Sequence, residues 1–105
     1  MDTEFKQIAS GIDISKSKLD VAIANFNGTV AYLSLSNDIE GAKLCLKLLL
    51  DHSCTEVVME STGPYWYGIY DYLSANGINM ILINPSHNPV RYADPHYQLP
   101  TEYRD

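Results

Sequence analysis

No uninterrupted apolar run in this chain of 105 residues comes near the roughly 20 residues that a bilayer crossing requires, so no membrane span is expected. Cysteine is scarce, with Cys45 and Cys54 alone. They form no Cys-x-x-Cys pair, and no His stands at zinc-ligand spacing beside them. A disulfide framework and a zinc knuckle are thereby excluded, leaving two structural or inert thiols. Basic residues are few, 7 Lys and Arg against 13 Asp and Glu, which gives a formal net charge of -6. A chain of that charge lacks the clustered Lys and Arg that grip a phosphate backbone, and only weak nucleic-acid binding is expected of it alone. The N-terminus, Met1-Asp2-Thr3-Glu4, lacks the basic-then-apolar pattern of a secretory signal, so a cytoplasmic location is expected. There is no internal repeat and no block of like charge.

Apolar residues make up 46% of the chain and charged residues 19%, the balance of a globular protein. The length allows one domain with a single core. Residues 6 to 14 read as a strand with Ile8, Ser10, Ile12 and Ile14 on one face and Ala9, Gly11 and Asp13 on the other. Near-continuous burial marks it as central. After a turn at Ser15-Lys16-Ser17, Leu19, Val21 and Ile23 alternate with Asp20, Ala22 and Ala24, and Asn27-Gly28 signals a hairpin into a third strand at about 29 to 35.

Asn37 with Glu40 resembles a capping box, and Ile39, Ala42, Cys45, Leu46, Leu49 and Leu50 recur at helical spacing to about His52. Residues 56 to 60 form a short buried strand. Gly63-Pro64 then opens a second helix, with Pro64 at its first position, and Asn76-Gly77 stops it. Residues 79 to 83 are a fifth strand, ended by Asn84-Pro85. The order β-β-β-α-β-α-β implies an α/β fold: an antiparallel meander, then parallel crossovers with helices on the faces of a mixed sheet. That is the ribonuclease H-like plan. A domain over residues 1–85 is followed by an irregular tail, 86–105, rich in Pro, Tyr and His.

Two carboxylates stand out. Asp13 and Glu60 each lie where a core strand meets a polar turn, and burying an ionised carboxylate is costly unless something positive shares the site. A divalent metal held by both is the economical explanation, placed at the strand mouths where α/β sheets bind ligands. Asp13 has an alternative as a turn residue capping the amides of Ser15 and Lys16. Glu60 has one as a residue facing the dipole of the second helix. Lys16 is a candidate phosphate contact, or merely solvated. The aromatic run from Tyr65 to Tyr72 offers Trp66, Ile69, Tyr70 and Leu73 to the core, and its exposed rings to stacking on bases.

The stretch Gly11-Ile12-Asp13-Ile14-Ser15-Lys16-Ser17-Lys18-Leu19-Asp20-Val21-Ala22-Ile23 resembles the opening motif of insertion-sequence-110-type (Piv/MooV-like) DEDD transposases. Val58-Met59-Glu60-Ser61-Thr62-Gly63-Pro64-Tyr65, Leu73 to Gly77, and Ile81-Leu82-Ile83-Asn84-Pro85 follow in the family's order. The resemblance implies a RuvC-like domain that binds Mg²⁺ (or Mn²⁺) and moves DNA, in this family with a guide RNA. Asp13 and Glu60 then match the first Asp and the Glu of the catalytic and metal-binding tetrad. The remaining two aspartates of the family belong to a Lys-Thr-Asp-x-x-Asp-Ala-like helix after the Asn-Pro segment, which is not found here. Asp94 and Asp105 lack its neighbours and spacing. The expectation is therefore a truncated transposase domain, without its own strand-cleaving activity. The competing readings are a Holliday-junction-resolvase-like nuclease, an actin-like or sugar-kinase ATPase, and a non-enzymatic module that dimerises.

Overall fold

The computed structural model describes residues 8–25, 27–61, 63–83 and 101–103. Five strands form one sheet in the order β3-β2-β1-β4-β5, namely β1 (Ala9–Ile14), β2 (Lys18–Asn25), β3 (Gly28–Ser36), β4 (Glu56–Ser61) and β5 (Asn79–Ile83). β1 is central, as its burial pattern predicts. β2 runs antiparallel to β1 and β3, whereas β4 runs parallel to β1 and β5. The element order and mixed sheet are those expected, and the fold is α/β and ribonuclease H-like.

Period-two alternation sorts the strands into two faces. Ile12, Ile14, Leu19, Val21, Ile23, Val57 and Met59 point to one side and are buried. Both helices cover that side: α1 (Ile39–Asp51) presents Ala42, Cys45 and Leu49, and α2 (Tyr67–Ala75) presents Ile69 and Leu73. Helices on both faces are the sequence expectation, but the crossovers keep them together. From β1 through β4 to β5 the sheet grows in one direction, so right-handed connections place both helices on the same side. The opposite face carries no helix among the described residues.

Several local expectations change. Asn37 does not cap α1. Asp38 is the N-cap, its carboxylate accepting from the Gly41 N–H at 2.8 Å and from Ser36 Oγ at 2.7 Å. Those donors hold its carboxyl below the usual carboxylate range. Leu50, which helical spacing assigns to the core, is exposed. α2 starts at Tyr67, not at Pro64, because buried Trp66 occupies the turn before it. In the hairpin Gly28 pairs with Asn25 as the first residue of β3, so it belongs to the strand rather than to the turn. Both helices end where the sequence places their stops, in matching turns. Cys54 N–H reaches Leu49 O and Ser53 N–H reaches Leu50 O, while Ile78 reaches Leu73 O and Gly77 reaches Ser74 O. Each turn needs a left-handed residue, here Ser53 (φ 55°) and Gly77 (φ 89°).

Most of the predicted tail lies outside the described residues. Thr101–Tyr103 forms a single 3₁₀ turn whose Tyr103 is buried in the core.

Burial pushes the Cys45 thiol up from its ordinary 9.0 to about 12, and it raises the Tyr103 phenol in the same direction. Both groups keep their protons longer folded than unfolded. Their contribution is therefore complete below pH 9 and is lost as pH climbs from there towards the folded values. Unfolding free energy is expected to fall by about 1–2 kcal/mol between pH 8.5 and 10.5. Urea midpoints across that range check it, and Cys45→Ala should flatten the slope.

Candidate functional site

Asp13 sits one residue before the end of β1, Glu60 one residue before the end of β4, and the two are register partners on adjacent parallel strands. Neighbouring strands lie about 4.8 Å apart, so the two carboxylates stand side by side. Asp20 of β2 is the register partner of Asp13 on its other side. One row across the sheet therefore reads Ser34, Asp20, Asp13, Glu60 and Ile83. All five project to the face without helices. Asp20 joins the pair through strand register, which cannot be read from the spacing of residues along one strand.

The row before it places Tyr32, Ala22, Gly11, Val58 and Ile81 on the same face. Small Gly11 and Ala22 make a floor. Tyr32, Val58 and Ile83 stand round it, enclosing with the three acids an open depression of about 470 Å³. The Tyr32 hydroxyl donates to Asp20 Oδ1 at 3.4 Å, a long bond that fixes Asp20 only loosely.

Asp13 and Glu60 are exposed rather than buried in the core. The cost of burying charge, which singles them out in the sequence, is thus not incurred; the register is what makes them a pair. Neither alternative role fits well. Ser15 N–H is taken by Lys18 O at 3.0 Å, not by Asp13. α2 begins seven residues after Glu60, beyond the reach of its first turn.

Among the described residues, no Lys or Arg lies within ion-pair distance of the three acids. Nor do three potential ligands converge closely enough there to cage an ion. The donors are hard carboxylate oxygens open to solvent. Such a set fits Mg²⁺, which keeps several waters and is typically bound through one or two carboxylates together with substrate phosphates. Lys16 is exposed in the turn that follows β1. Trp66, Ile69 and Leu73 are fully buried and Tyr70 partly so, while Tyr65 is exposed. No helix among the described residues is long and apolar enough to cross a membrane.

In fold, the chain is similar to a protein with actin-like ATPase fold and unknown function from Bacteroides thetaiotaomicron, at 12% identity and a TM-score of 0.56. The match covers 82% of this chain and 35% of that one, so this chain spans about a third of that protein's length. A search of curated proteins finds no match. Residues 10–96, which contain both register-paired carboxylates, match the model of the insertion-sequence-110-type DEDD family, described as transposase. This chain belongs to that DEDD transposase family.

Proposed function

We propose that this chain supplies the first two carboxylates of a transposase centre for Mg²⁺-dependent (or Mn²⁺-dependent) DNA strand cleavage and transfer. One observation carries the reading: Asp13 and Glu60 are register partners on the helix-free face of the sheet. A divalent metal held by Asp13 and Glu60 would supply activation of the attacking oxygen and stabilisation of the leaving one. The chain's own residues orient the reaction. Two neighbouring strands fix the spacing of Asp13 and Glu60, Asp20 adds negative charge at the flank, and Gly11 and Ala22 leave room for a sugar-phosphate backbone. Lys16, exposed in the turn that follows β1, is the proposed phosphate contact. The centre is incomplete with these residues alone, and DNA cleavage by this chain unaided is not expected. DNA, and in this family a guide RNA, are the partners.

Three adjacent carboxylates repel one another, and a divalent cation turns that repulsion into attraction. Mg²⁺ or Mn²⁺ is therefore expected to raise the thermal midpoint, by the equivalent of about 3 kcal/mol at a hundredfold excess over Kd. Asp13→Asn and Glu60→Gln should each remove the response. Without metal they should melt at or above the parent chain, because a like charge has gone. No shift at millimolar metal would refute the shared site.

A second reading, a module that self-associates, draws on exposed Val58, Ile81 and Ile83 on the same face. Light scattering that finds only monomer would remove it.

A further inference from the structure

Asn37 is one of the two buried polar residues of the chain's described core, and its bonds leave its amide no freedom. Its backbone N–H donates to Ser17 O at 3.1 Å. Its Nδ2 donates to Ser15 O at 2.9 Å and to Tyr65 O at 3.1 Å. With both amide protons committed to carbonyls, Oδ1 must face the other way, and there it accepts the hydroxyl of Tyr103. The ring of Tyr103 lies against Gly68 of α2. A Cβ on Gly68 would stand 2.7 Å from the ring Cγ and closer still to two other ring atoms, so the notch exists only because that residue has no side chain.

The notch and its occupant stand on either side of the end of the family match. Asn37, Tyr65 and Gly68 lie inside the stretch that matches the transposase family, and Tyr103 lies beyond its end at residue 96. Of the turn Thr101–Tyr103 only Tyr103 is buried, while Thr101 and Glu102 are exposed. Among the described residues of this segment, Tyr103 alone supplies a buried side chain. A space of about 240 Å³ lies beside it, bounded by Lys16, Pro64, Tyr65 and Glu102.

We propose that the notch between Asn37 and Gly68 is a tyrosine-recognition socket, filled in cis by Tyr103 and open to a tyrosine-bearing peptide segment in trans when Tyr103 is withdrawn. Shape comes from Gly68, which admits a flat ring. Chemistry comes from Asn37, whose Oδ1 requires a hydroxyl donor and is left unpaired by a phenylalanine. The socket is independent of the metal centre. It lies at the ends of β1 and α2 on the helix-covered side, and it braces the turn at Ser15–Ser17 that follows Asp13.

The test uses the full chain carrying Tyr103→Ala and a synthetic peptide with the sequence of residues 98–105. Calorimetry is expected to show binding to the variant, at least about tenfold weaker binding of the same peptide with Phe at its Tyr103 position, and none to the parent chain. Adding Gly68→Ala to the variant should abolish binding. Equal affinity for the two peptides, or no binding by a folded variant, overturns the proposal. Should Tyr103→Ala fail to fold, Tyr103→Phe in the full chain decides the matter. Its thermal midpoint is expected to fall by about 4–8 °C, and an unchanged midpoint would mean that Asn37 does not read the hydroxyl.

Discussion

Gly41→Ala is expected to destabilise the domain by at least about 3 kcal/mol, enough to leave little of a stability that for a domain of this size is about 5–15 kcal/mol. In an unconstrained helix the same change would gain about 1 kcal/mol. The sign reverses because α1 enters close against the end of β3. A Cβ at Gly41 would stand 2.7 Å from the Ser36 carbonyl carbon and nearer still to its oxygen. That obstacle is backbone, which cannot swing aside as a side chain would. Ser36 is held in the ladder opposite Lys18, and its Oγ donates to Asp38, whose carboxylate also takes the Gly41 N–H. Relieving the overlap would break the cap or the strand end. A thermal melt by circular dichroism decides it, with a drop of roughly 12 °C or more expected. A midpoint equal to the parent's would show that the β3–α1 junction relaxes freely.

Trp66→Ala comes next, with an expected cost of about 3–5 kcal/mol. Trp66 is fully buried and is the chain's one tryptophan. Its ring meets Tyr67 edge-on at 4.4 Å and 88°, and Tyr70 at 5.4 Å and 77°. Such pairs add to the area that the indole removes from water. Trp66 also occupies the N-cap position of α2 with no side-chain capping bond, so packing rather than capping fixes where that helix begins. Denaturant midpoints by circular dichroism measure the loss. Trp66→Phe should recover part of it, and a cost below about 1 kcal/mol for Trp66→Ala would contradict the packing described.

These two positions show where sequence reading succeeds and where it stops. Alternation along one strand is enough to put Ile12 and Asp13 on opposite faces, and helical spacing puts Trp66, Ile69 and Leu73 inside. Asp13 and Glu60 can be found because each ends an apolar run. Asp20 can be placed on the strand beside Asp13, where a salt-bridged or solvated role is the plainer reading; the pairing sets it in the same row as both acids. Gly41 gives no signal, because its constraint is the backbone of Ser36 in another element. Asn37 reads as a cap from its neighbours in sequence, yet its partners are Ser15, Tyr65 and Tyr103. Leu50 fits a loose helical period but lies round the side of α1 from the stripe of Ala42, Cys45 and Leu49, and is exposed next to fully buried Leu49. Tyr103 sits among prolines and tyrosines without periodicity, and only its packing against Gly68 and its bond to Asn37 single it out.

The alternation of β1 has one more consequence. If β1 slipped by a single residue against β2 and β4, Asp13 would pass through the sheet to the oily side while Ile12 and Ile14 emerged into water. The greasy contacts beneath the sheet thus act as a ratchet for the acidic row above it. Any sequence that keeps this core folded and retains Asp13, Asp20 and Glu60 also keeps the spacing of these carboxylates, even in a chain selected for nothing more than staying folded.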